Sequence, residues 1–121
     1  MNAIQPEIEW RAHLAEGRFM IQRSRTTGGH VVYPRVAEPG TGAQDLEWVE
    51  ASGQGTVHAV TVVRKKDPND SYNVVLVDLA EGPRLMSRVD GIAPDAVMIG
   101  MSVRANIIDE GGQPLLVFVP A

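Results

Sequence analysis

Cysteine is missing altogether from this chain of 121 residues. That absence excludes disulfide crosslinks, a thiol nucleophile and any thiolate metal site, so so small a fold must be supported by packing or by a partner. Aromatic residues are scarce, at 5% of the sequence, whereas proteins that grip single-stranded nucleic acid stack its bases on aromatic platforms. Positive charge is in deficit as well. The net charge of -4 gives no general attraction to nucleic acid or anionic membranes, and it favours solubility. No apolar run approaches the roughly 20 residues of a membrane span. Met1 to Trp10 carries Pro6, Glu7 and Glu9 and no apolar signal-peptide core, so the expected location is cytoplasmic. What is present is ordinary for one globular core: 44% hydrophobic and 21% charged residues. A chain of this length buries roughly two-thirds of its unfolded surface.

The inventory of chemistry-bearing residues is thin. His13, His30 and His58 are scattered singly, without the H-x-H or H-E-x-x-H spacing that places two imidazoles on one metal. No G-x-S-x-G elbow surrounds Ser24, Ser52, Ser71, Ser87 or Ser102. Gly53-Gln54-Gly55 imitates the opening of a dinucleotide fingerprint, but it precedes a strand pattern. No helix N-terminus follows to hold a pyrophosphate, and a bend at the entry to a strand explains these glycines better. Asp67 and Asp70 fall in a turn, where such side chains usually bond their own backbone. An independent active site is not expected.

Patterning predicts a mainly β fold. Pro6 to Glu16 reads as a short helix, with proline in the first turn, Glu7 and Glu9 at its positive end and Gly17 as its stop. Trp10 and Leu14 would share a face. Phe19 to Ile21 and Val31 to Tyr33 are strand candidates forming a hairpin. From Trp48 onward, strands recur at about Gly53–Val63, Asn73–Leu79, Arg84–Val89, Met101–Ile108 and Leu115–Val119. Turn-forming clusters at 67–70, 81–83 and 110–112 punctuate them, and a segment around Ala93 to Met98 separates the third from the fourth. Five strands with one interposed helix or turn make the arrangement of an OB barrel.

Between helix and barrel lies a loop-rich stretch with a suggestive spacing. It runs Ser24-Arg25-Thr26-Thr27-Gly28, then Tyr33-Pro34-Arg35, then Glu38-Pro39-Gly40-Thr41-Gly42. With cysteine at Ser24, Thr27, Glu38 and Thr41 it would read as two zinc knuckles, each a sharp turn presenting two thiolates. The knuckle glycines and the proline remain, and every thiolate is gone. Neutral hydroxyls and one carboxylate are poor donors to zinc, so these are vestigial positions and no zinc is expected. The alternative is an ordinary turn-rich hairpin.

In this order the helix, the knuckle remnants, Trp48 leading into Ser52-Gly53-Gln54-Gly55-Thr56, and the closing strands resemble the acyl-CoA-associated OB-fold family (domain of unknown function family 35). The likeness covers about Trp10 to Pro120 and departs from the family pattern in losing its zinc cysteines. It implies a helix plus degenerate rubredoxin-like ribbon over residues 1–47 and a five-stranded OB barrel over 48–121. It also implies an accessory or scaffold subunit, not catalytic alone, of an acyl-CoA enzyme complex with a thiolase-like partner or sometimes a MaoC-type hydratase. Such a subunit would help enclose a CoA-linked substrate, binding no cofactor by itself, as a homodimer or part of a hetero-oligomer. Trp10, Leu14, Phe19, Arg23, Tyr33, Arg35 and Trp48 are the expected partner interface, since so thin a ribbon leaves its apolar residues little else to pack on. The basic cluster Arg64, Lys65 and Lys66 reads as a solvated loop, as a contact for CoA phosphates or the partner, or as a nucleic-acid contact. An OB-fold single-stranded nucleic-acid-binding protein is therefore the competing class, and a stand-alone enzyme ranks below both.

Overall fold

A computed structural model describes residues 5–121 of the chain. Helix α1 spans Pro6–Ala15, followed by β1 (Met20–Ser24), β2 (His30–Val31), β3 (Leu46–Glu50), β4 (Gln54–Val63), β5 (Tyr72–Leu79), β6 (Arg84–Ser87), β7 (Ser102–Glu110) and β8 (Gln113–Pro120). Gly17 stops the helix in a left-handed conformation, φ 77°, that only glycine adopts without penalty. Its N–H donates to the Leu14 carbonyl at 2.9 Å, and that of Arg18 to His13 at 3.0 Å.

The strands form two antiparallel sheets, a small one ordered β2-β1-β3 and a curled one ordered β6-β5-β4-β7-β8. The curled sheet is OB-like, and it closes where the chain beyond β6 meets β8. Phe118 N–H donates to the Arg88 carbonyl at 3.0 Å, Asp90 N–H to the Phe118 carbonyl at 2.8 Å, and Val89 pairs with Phe118 in parallel. Asn73, 3% exposed, extends this seam by bonding both backbone groups of Val89. A bulge interrupts β4 between Val57 and Ala59, which leaves His58 as the extra residue. Gly55 is required on the same strand, because a Cβ there would lie 2.5 Å from Val77 Cγ1 and 3.1 Å from the Asp78 carbonyl oxygen.

Trp48 sits within β3, opposite Gln22 of β1, so β3 straddles the expected division at 47/48. Periodicity missed β3 because its residues are all half-buried or exposed, with no alternation to betray a strand. The segment between β6 and β7 holds a short 3-10 turn, Pro94–Ala96, within the helix or turn expected there. One expectation needs correction, and it concerns packing. Leu14 and Phe19, expected at a partner interface, are 3% and 7% exposed and join Ile21 and Val32 in one core with Val57, Val77 and Phe118 of the barrel. The small sheet and helix bury these four residues against their own barrel, so that core leaves neither Leu14 nor Phe19 free for a partner.

Candidate functional site

Ser24, Thr27, Glu38 and Thr41 do converge, and what joins them is hydrogen bonding. Two knuckle turns built alike bring them together. In the first, Gly28 N–H donates to the Ser24 carbonyl at 2.8 Å while Ser24 N–H donates to that of Gly29 at 2.9 Å. In the second, Gly42 N–H donates to the Glu38 carbonyl and Glu38 N–H to that of Ala43, both at 2.8 Å. Gly28 and Gly42 hold φ of 75° and 72°, the left-handed geometry that lets each turn close so tightly.

The side chains then link the turns. Thr27 Oγ1 donates to Glu38 Oε2 at 2.6 Å, and Thr41 Oγ1 donates to the other oxygen, Oε1. Ser24 Oγ donates to Asp45 Oδ1 at 2.9 Å, and Thr26 Oγ1 to Asp45 Oδ2. The Thr27 bond first and the Thr41 bond second hold the Glu38 carboxyl below its ordinary pKa, because both donors favour the ionised form. Asp45 is lowered in the same way, by Thr26 foremost. Asp45 and Thr26 escaped the sequence reading, since neither stands at a knuckle position.

The remaining candidates spread over several surfaces. Gln22 is 4% exposed and clamps the Arg35 backbone, donating from Nε2 to its carbonyl at 2.7 Å and accepting from its N–H at 2.6 Å. This leaves the Arg35 side chain exposed in a cleft of about 290 Å³ that His30 and Arg84 also line. The Tyr33 hydroxyl accepts from Met86 N–H at 3.0 Å, tying the loop after β2 to β6. Tyr33 and Met86 are nonetheless 53% and 61% exposed. With Trp10, Pro34, Leu85 and Leu115 they line an apolar groove of about 390 Å³ at the meeting of helix, small sheet and barrel. Trp48 is spent internally, its Nε1 donating to Glu9 Oε1 at 3.2 Å and its ring edge-on to His13. Arg23 pairs with Glu47 at 3.6 Å.

The basic cluster does not converge on one point. Arg64 turns to Asp95 at 3.7 Å, Lys65 lies 5.9 Å from the Tyr72 ring centroid, and Lys66 is exposed. Phe118 is wholly buried, whereas Tyr72 is exposed. The bulge aims His58 at Asp78, 3.2 Å away, and Arg84 Nε donates to the same carboxylate at 2.6 Å. Arg84 foremost, with His58 adding to it, lowers the Asp78 pKa. Among the described residues no group of three or more histidine, aspartate or glutamate side chains is placed to hold a metal ion, and no helix is long and apolar enough to cross a membrane.

Comparison with known proteins places this geometry. Residues 48–107 match the family model described as ChsH2, C-terminal OB-fold domain. A "Probable enoyl-CoA hydratase alpha subunit" of Thermomonospora curvata is 34% identical over 117 aligned positions, covering 93% of this chain and 36% of that protein. The chain thus spans about a third of that relative's length. A "DUF35 domain-containing scaffold protein" of Pyrococcus furiosus is 29% identical over 99 residues, covering 78% of this chain and 71% of the relative. Among solved structures, the "Ltp2-ChsH2(DUF35) aldolase" superposes with a TM-score of 0.81 at 32% identity, over 99% of this chain and 98% of that one. End-to-end agreement with that chain covers the helix and small sheet as well as the barrel. The chain belongs to the acyl-CoA-associated OB-fold family, domain of unknown function family 35.

Proposed function

We propose that the chain is an accessory subunit of an acyl-CoA enzyme complex, not catalytic alone, whose partner is a thiolase-like enzyme. The observation that carries this reading is the full-length likeness to the DUF35 chain of an aldolase complex, 32% identical over 98% of it. A relative named as a scaffold protein and another named as a hydratase subunit point the same way. The scattered histidines are consistent with it: His13 meets the Trp48 ring edge-on and His58 is bound to Asp78 and Arg84.

The partner docks, on this reading, over the groove lined by Trp10, Tyr33 and Met86 and the adjoining Arg35. Trp10, Tyr33 and Arg35 are among the expected interface residues, Met86 is added to them by the structure, and exposed apolar groups beside a cation are what a mixed interface needs. Acyl-CoA is then shared with the partner and not held by this chain alone. The test is co-purification with a thiolase-like enzyme encoded beside it, using the wild type, Met86→Glu and Arg35→Glu. A complex that each substitution weakens by about tenfold or more supports the assignment. A complex formed with a hydratase in place of the thiolase-like enzyme would overturn the choice of partner and keep the accessory role. The competing reading, single-stranded nucleic-acid binding, would gain from nanomolar, steeply salt-dependent affinity for an oligonucleotide. Binding weaker than micromolar is expected, given the charge of -4 and a barrel whose Phe118 is buried.

A further inference from the structure

The family resemblance implies a zinc at the two knuckles, and the residues present do not fit one. Three of the four positions, Ser24, Thr27 and Thr41, offer neutral hydroxyls, which are weak donors to this cation. Each hydroxyl is also committed in the same manner. It accepts a backbone N–H from its own knuckle: Thr27 N–H to Ser24 Oγ at 3.2 Å, Gly29 N–H to Thr27 Oγ1 at 3.1 Å, Ala43 N–H to Thr41 Oγ1 at 3.3 Å. Its own proton goes to a carboxylate, which for Thr27 and Thr41 is Glu38 and for Ser24 is Asp45. The space is taken too. Glu38 is 9% exposed, and its Oε2 lies 2.5 Å from where a Cβ on Gly29 would stand.

We infer that Glu38 is a metal-free clasp: its two carboxylate oxygens, one bonded to each knuckle, do the joining that a tetrahedral ion would otherwise do. Asp45 supports it by tying Ser24 and Thr26 of the first knuckle to the chain entering β3. The small sheet is then indifferent to zinc supply, to chelators and to thiol oxidants, and this holds whatever enzyme the chain docks on.

The experiment is amide hydrogen exchange on the full chain, resolved at Gly28, Gly29, Gly42 and Ala43 and at barrel amides such as Val57. Wild-type protein should contain well under one equivalent of zinc. It should show the same knuckle protection with one equivalent of Zn²⁺ and with excess chelator. Glu38→Gln keeps the size of the side chain but replaces one acceptor with an amide that cannot take a hydroxyl proton. It should speed exchange at the knuckle amides about tenfold or more while Val57 stays protected. The combined variant Ser24→Cys, Thr27→Cys, Glu38→Cys, Thr41→Cys should take up one equivalent of Co²⁺ with a tetrahedral thiolate spectrum and become chelator-sensitive. Stoichiometric zinc in the wild type, or Glu38→Gln knuckles as protected as wild type, would overturn the clasp. Failure of the four-cysteine variant to bind cobalt would overturn the claim that the clasp stands where a metal would.

Discussion

Asn73 and Val89 are joined by a pair of hydrogen bonds that imitates one rung of a β-ladder. The carboxamide donates to the Val89 carbonyl at 3.0 Å and accepts from the Val89 N–H at 2.8 Å. Gln22 does the same for Arg35 in the small sheet. In both places the chain leaves a regular strand pairing and a buried amide side chain takes up its backbone groups; those of Val89, 3% exposed, would otherwise be stranded away from water.

Replacing Asn73 with leucine should therefore destabilise the protein by about 2 kcal/mol, the cost of orphaning two buried backbone groups at the barrel seam. Urea unfolding at neutral pH measures it. A loss below about 0.5 kcal/mol, typical of neutral surface changes, would mean that water satisfies Val89 in the variant.

Gly55→Ala makes a second, independent test of the barrel. Its Cβ would meet Val77 Cγ1 at 2.5 Å and the Asp78 carbonyl oxygen at 3.1 Å, and the backbone atom cannot swing aside as a flexible side chain could. A loss of about 1–3 kcal/mol is expected, as for other overpacked cores. Thermal melting with an unchanged midpoint would contradict the close approach of β4 and β5.

Those two positions also mark the limits of reading the chain as sequence. Turns and strands β4 to β8 were legible because glycine and proline clusters punctuate alternating apolar residues, and the helix because Pro6 and Gly17 bracket it. The two turns were legible as turns from their glycines, since Gly28 and Gly42 adopt the left-handed geometry those turns demand, while their spacing left an ordinary turn-rich hairpin as the alternative. Asn73 and Gln22 were not, because nothing in a polar side chain's neighbours tells that it is buried against a distant backbone. Nor was the fate of Leu14 and Phe19. An apolar residue on a thin sheet reads alike whether it meets its own barrel or another protein, and only the three-dimensional packing decides.

Because one core serves both sheets, removing residues 1–50 should leave the remaining barrel unable to fold on its own. Leu14, Phe19 and Ile21 would be missing from a cluster they share with Val57, Val77 and Phe118. The truncated chain should lack a cooperative thermal transition and bind a hydrophobic dye. A dispersed, native-like amide spectrum would refute the single core.

The Asp78 carboxyl gives a pH-dependent handle. Arg84 at 2.6 Å favours its charged form, so its pKa in the folded chain lies below the ordinary carboxylate value. Its stabilising contribution is then present above the unfolded pKa and drains away as pH falls from there through the folded one. Carboxyl NMR titration should place the Asp78 midpoint below the ordinary value of about 3.9 for aspartate, and Arg84→Gln should raise it. A midpoint unmoved by Arg84→Gln would show that the pair does not persist in solution.

On the proposed function, this chain serves another enzyme and does no chemistry alone. The most direct measurement gives acyl-CoA substrates to three samples: the purified chain, the proposed thiolase-like partner, and the two combined. No turnover is expected from the chain alone, and the complex should be more active or more heat-stable than the partner by itself. Turnover of an acyl-CoA by the chain alone, or a partner whose activity and stability are both untouched by it, would contradict the proposed function.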